Sequence, residues 1–65
     1  MPYHAFYRLP LTTQARVDRA IRRLVFDVCA ADRQRVYAAA DVFTAIGTPL
    51  ALDIAAMIRE LVEGE

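Results

Sequence analysis

Apolar positions recur at helical spacing along most of this chain, and proline and glycine cut the pattern into segments. At about 100° per residue, Val17, Ala20, Ile21, Leu24, Val28 and Ala31 share one face. The pattern predicts a first helix from Thr12 or Thr13, either of which can serve as N-cap, to about Ala31. Asp32 is a good N-cap for a second helix, and Gly47 is a good residue to end it. Its apolar stripe is Val36, Ala39, Ala40, Phe43 and Ile46. Thr48-Pro49 is a restart signal, with Thr as N-cap and Pro at the first helical position. A third helix then runs from Pro49 to about Glu63, with Gly64 as its stop. Leu50, Ile54, Met57, Ile58 and Leu61 face one way. Ala51, Ala55 and Val62 widen that arc to about 160°, more than the ~100° that one neighbouring helix covers. A helix with such an arc touches two neighbours, or one neighbour and a second chain; the second is the leading expectation, with Ala51, Ile54, Ala55, Ile58 and Val62 as the dimer interface.

Ahead of these helices stands MPYHAFYRLPL, residues 1–11, which lies between prolines and carries half of the six aromatics. Pro10 disfavours helix at Leu9. The stretch is expected to be an extended arm or short strand, making contacts through Tyr3, Phe6 and Tyr7. A tyrosine can bury its ring and keep its hydroxyl wet, which suits a lid on this chain or a clamp on a partner. The expected architecture is all-α: a small three-helix bundle, or a long helical hairpin plus a third helix. It consists of an arm over 1–11 and one helical domain over 12–65.

Composition sharpens the case for self-association. A chain of 65 residues makes one domain with a small core, which ordinarily needs a disulfide, a metal or a partner. Cys29 is the only cysteine and His4 the only histidine, so neither a disulfide nor a metal site is expected. The apolar fraction is 57%, and eight basic residues balance eight carboxylates, so net charge does not oppose a homodimer. All eight basic residues are arginine. Arginine favours planar, bidentate and stacking contacts, although GC-rich codon usage gives the same composition. No run reaches the ~20 apolar residues of a membrane span, and no secretory signal pattern opens the chain. With its lone thiol, the protein is expected in the reducing cytoplasm.

Catalytic chemistry has no foothold. There is no serine, and the two glycines read as helix stops rather than a phosphate loop. Cys29 reads as a small apolar residue at the edge of the first stripe. Asp18, Asp27, Asp41, Asp53 and Glu60 are scattered over solvent faces. The chain is not expected to be an enzyme or to hold a cofactor.

The back of the first helix is the unusual feature. Phe26 falls about 180° from the apolar stripe, among Arg19, Arg22 and Arg23. Arginine around an exposed aromatic is the composition of a protein-interface hot spot. Arg22 and Phe26 are spaced i,i+4, so the guanidinium can stack on the ring. Tyr37, on the shoulder of the second helix, can extend the surface. The leading expectation is therefore a small interaction module that binds and modulates a larger protein, as an inhibitor, anti-activator or adaptor such as one acting on a transcription regulator. The bland reading packs Phe26 under the arm, against Tyr3 or Tyr7, and leaves the arginines solvated.

DNA binding is the alternative, in two forms. A helix-turn-helix across Gly47-Thr48-Pro49 would use the third helix for recognition. That helix offers Asp53, Arg59, Glu60 and Glu63, an acidic surface that phosphate repels. The run Phe6-Tyr7-Arg8-Leu9-Pro10-Leu11, followed by Gln14-Ala15-Arg16-Val17-Asp18-Arg19-Ala20, resembles the opening of ribbon-helix-helix repressors. That resemblance covers about a third of the chain. It implies a short strand that pairs across a dimer and enters the major groove. The arm has one arginine and no lysine, a third helix follows, and the net charge is zero, whereas a DNA module carries a basic surplus. Nucleic acid is not the expected partner.

Overall fold

The chain folds into four helices: α1 (His4–Tyr7), α2 (Leu11–Cys29), α3 (Arg33–Ile46) and α4 (Pro49–Glu63). The computed structural model describes residues 3–29 and 31–64. The expectations for the Val28 and Cys29 side chains fall outside the described residues.

The three long helices begin and end close to where the sequence places them. Asp32 caps α3, its carboxylate accepting from the Gln34 N–H at 3.1 Å. Gly47 closes α3 at φ 78°, a left-handed conformation that a side chain would strain. Thr48 caps α4 through its Oγ1, which accepts from the Ala51 N–H at 3.2 Å, and Pro49 follows at the helix start. Gly64 ends α4 in right-handed rather than left-handed conformation, with φ −75°. Helix α2 starts at Leu11, directly after Pro10, so Thr12 and Thr13 sit inside it rather than capping it.

The extended arm is the clearest departure. Residues 4–7 form one helical turn that packs on α4. Four residues cannot hold a helix alone, because nucleation is unfavourable. Tertiary contacts hold this one. Phe6 is buried, with its ring edge-on to Tyr7 at 5.3 Å between centroids. The Phe6 N–H donates to the Asp53 carboxylate of α4 at 3.0 Å. Gln14 Nε2 of α2 donates to the Tyr7 and Leu9 carbonyls at 3.1 and 2.8 Å. Both ends of the turn thus find polar partners on the long helices, which an exposed strand edge would lack. Pro10 restricts Leu9, and its constraint does not reach residues 4–7.

This turn changes the account of α4. Helix α4 packs against α1, α2 and α3. Its wide apolar arc is therefore covered largely within one chain. Ala51, Ala55, Ile58 and Val62, expected at a dimer interface, are 5%, 1%, 1% and 1% exposed in the single chain. Of the five expected interface residues only Ile54 stays partly open. The sequence pattern allowed two neighbours, or one and a second chain, for an arc that meets three helices of its own chain.

The second departure is the rotation of α2. Its buried residues are Ile21 and Val25, the latter 0% exposed. Val25 lies outside the predicted stripe. Val17 and Leu24 are only partly buried, Ala20 is exposed, and Ala31, now beyond the helix, is exposed too. The helix has turned so that one edge of its stripe faces the interior and the other edge is left at the surface. The core joins Ile21 and Val25 with Val36 and Ala40 of α3 and Ala55, Ile58 and Val62 of α4. Ile46, expected at the end of the α3 stripe, is 57% exposed.

Candidate interaction surface

Two surfaces stand out: the outer face of α2, and an apolar groove between α2, α3 and α4.

The outer face of α2 carries Arg19, Arg22, Arg23 and Phe26, all exposed. Phe26 is 52% exposed, so about half of a large ring remains in water. The placement follows from helical spacing once the opposite side of α2 is committed to Ile21 and Val25. The arm does not cover Phe26. It lies instead against α4 and the middle of α2, where Tyr3 and Tyr7 border a cleft with Asp18, Arg22, Met57, Glu60 and Leu61.

The arginines are held by their own helix. Arg22 Nε meets Asp18 Oδ2 at 2.9 Å, and Arg23 Nε meets Asp27 Oδ2 at 3.6 Å, both one turn apart. Arg22 therefore points back toward Asp18, and the expected stack on Phe26 does not form. Exposed pairs of this kind contribute little to stability. Among the described residues no ion pair engages Arg19. Sequence spacing alone left two partners open to Arg22, since Asp18 and Phe26 are both four residues away.

Tyr37 does not join this face. It is half-buried and packs against the core. One turn along the same side of α3, Asp41 pairs with Arg59 of α4 at 2.9 Å, and Arg59 also donates to Thr44 Oγ1 at 3.1 Å. Tyr37 thus belongs to the α3–α4 flank, and its shoulder position reflects an amphipathic boundary.

The arm residues have separate tasks. Phe6 fills the space beside α4, Tyr7 is 52% exposed, and Tyr3 begins the turn in left-handed conformation at φ 67°. Such a φ is strained for a bulky residue. The Glu60 carboxylate, which borders the same cleft, is the first cause that raises the Tyr3 phenol from 10.0 to about 12, and burial is the second.

The groove goes beyond what the sequence pattern predicts. Val17, Ala20, Ile21 and Leu24 of α2 line it with Phe43 of α3 and Ile54 and Ile58 of α4, around a volume of about 260 Å³. None of these residues is polar. The signal was present in the sequence, because Val25 widens the first stripe to about 140°, more than one neighbour covers. Its direction depended on the rotation of α2, which periodicity alone does not fix.

No group of three or more histidine, cysteine, aspartate or glutamate side chains comes together among the described residues. Among the described residues no helix is long and apolar enough to cross a membrane. Comparison of the chain with family models, curated proteins and solved structures gives no match.

Proposed function

We propose that this protein is a small, non-enzymatic interaction module that binds a larger protein through the outer face of α2 and modulates it. The observation that carries the proposal is Phe26. A phenylalanine that is 52% exposed in the middle of three exposed arginines forgoes part of the ~1.5–3 kcal/mol that full burial supplies. Neither α1 nor the core recovers it. An aromatic anchor with arginines around it is the composition found at the centre of protein interfaces. On the same helix, Arg22 pairs with Asp18 and Arg23 with Asp27 beside the exposed ring, so the face offers charged groups of both signs around one aromatic side chain. The lone Cys29 suits work in a reducing compartment such as the cytoplasm.

The structural features weigh against a DNA-binding repressor. The ribbon reading needs a strand where His4–Tyr7 is helical. The helix-turn-helix reading needs α4 free to enter a groove, and α4 is packed by three neighbours. Its outward residues include Glu60 and Glu63.

The test is capture from the source cell with wild-type, Phe26→Ala and Arg19→Glu baits after nuclease treatment. A protein retained by wild type and lost by both variants supports the proposal. Equal capture by all three baits, or capture that nuclease abolishes, refutes it.

A further inference from the structure

We infer that the cleft between α1, α2 and α4 is a binding site for a methylated ammonium group, recognised by Tyr3, Tyr7 and the Glu60 carboxylate. Phe26 does not line this cleft, so the inference stands apart from the proposed partner face.

The cleft has a volume of about 380 Å³, near the lower end of the ~300–1000 Å³ of small-molecule sites. It suits a headgroup or a single side chain rather than a nucleotide. Three helices build it. Tyr3 and Tyr7 come from the turn at α1, Asp18 and Arg22 from α2, and Met57, Glu60 and Leu61 from α4. The α4 residues are spaced i, i+3 and i+4, so they share one face of that helix. The turn that carries the tyrosines is fastened beside them. Asp53 of α4 accepts from the Phe6 N–H, Gln14 of α2 donates to the Tyr7 carbonyl, and the Tyr7 ring stands edge-on to buried Phe6.

Charge decides the sign of the ligand. The lining holds two carboxylates against one guanidinium. Arg22 is already engaged, its Nε 2.9 Å from Asp18 Oδ2. Among the described residues no ion pair engages Glu60. An anion would therefore meet a guanidinium that has its partner, whereas a cation meets a carboxylate that has none. The Tyr3 phenol registers the same negative field. Glu60 and burial push it up to about 12, with smaller contributions from Tyr7 and Asp53.

The rest of the lining selects the kind of cation. A bare ammonium brings three N–H donors. The cleft offers it one carboxylate without an ion pair, and its other surfaces are two tyrosines, Met57 and Leu61. A quaternary ammonium has no N–H to satisfy. Its methyl groups suit aliphatic neighbours, and aromatic rings attract its charge through their quadrupole. Such a group can arrive on a free solute such as choline, or as trimethyllysine on another protein.

Tyrosine emission reads the binding, because the chain has three tyrosines and no tryptophan, and two of the three line the cleft. Wild type, Glu60→Gln, Tyr7→Leu and Phe26→Ala are titrated at constant ionic strength. The ligands are choline, its neutral carbon isostere, and one short peptide carrying either trimethyllysine or unmodified lysine. A saturable change with a Kd of about 1 mM or tighter is expected for choline or the trimethyllysine peptide. Tighter binding of choline assigns the site to a free solute, and tighter binding of the peptide assigns it to a modified side chain. The neutral isostere and the unmodified peptide are expected to bind about tenfold more weakly or not at all. Glu60 and Tyr7 are exposed, so both variants should keep the helical circular dichroism of wild type. Each is expected to weaken binding about threefold or more, while Phe26→Ala binds as wild type. No saturable change with either methylated ligand overturns the inference. So does equal binding of the neutral isostere or of unmodified lysine, wild-type affinity in Glu60→Gln and Tyr7→Leu, or loss of helix in both.

Discussion

The Asp53 carboxylate accepts a hydrogen bond from the Phe6 backbone N–H at 3.0 Å, joining α4 to α1 across 47 positions of the chain. It stands in for a local cap, because Tyr3 at the start of α1 makes no side-chain cap bond. Sequence spacing put Asp53 among the solvated acids of α4. Its actual partner is a backbone group from the far end of the chain.

Replacing Asp53 with alanine is expected to lower stability by about 1.5 kcal/mol, the range for a hydrogen bond to a charged group. Asp53→Asn keeps an acceptor oxygen and is expected to lose less. Urea unfolding by circular dichroism checks both. An unchanged midpoint for Asp53→Ala would mean that α1 stays in place without this bond.

The Tyr3 phenol is expected to ionise at about 12 instead of 10.0, because of the Glu60 carboxylate first and burial second. The folded value is raised, so the contact's contribution to stability is whole below pH 10.0 and is lost as pH rises through about 12. Ultraviolet titration of wild type against Glu60→Gln reads this directly. The late-ionising phenol should return toward 10.0 in the variant. Identical titration curves would separate Tyr3 from Glu60.

Adjacent residues of α2 test its rotation. Val25 is 0% exposed and Phe26 is 52% exposed. Val25→Ala removes two buried carbons and leaves a cavity, so it is expected to cost about 2–3 kcal/mol. Phe26→Ala removes a larger group and is expected to cost about 1 kcal/mol or less. Chemical denaturation ranks the two. The reverse order would mean that α2 buries its Phe26 side.

The helices themselves were legible because their signals are local. Asp32, Gly47, Thr48 and Pro49 act within one or two turns of where they stand, and each takes the part its chemistry suggests. The place of Phe26 opposite the buried stripe was legible for a similar reason, but that the helical turn at His4–Tyr7 leaves it 52% exposed was not. The helical turn at His4–Tyr7 was not, because Asp53 and Gln14 hold it from positions distant in sequence. The rotation of α2 was hidden too. Val25 borders the stripe of Val17, Ile21 and Leu24, and periodicity does not say which edge of a wide stripe faces inward. The groove follows from that rotation, and Ala55 and Val62 are buried because the core that α4 shares with α2 and α3 closes over them within one chain.

The affinity of the captured partner for Phe26→Ala, measured by titration calorimetry beside a thermal melt of the variant, bears most directly on the proposed interaction face. Binding is expected to weaken at least tenfold, about 1.4 kcal/mol. The melting temperature should stay within a few degrees of wild type. Wild-type affinity in a variant that melts normally would show that Phe26 is an exposed side chain with no part in recognition.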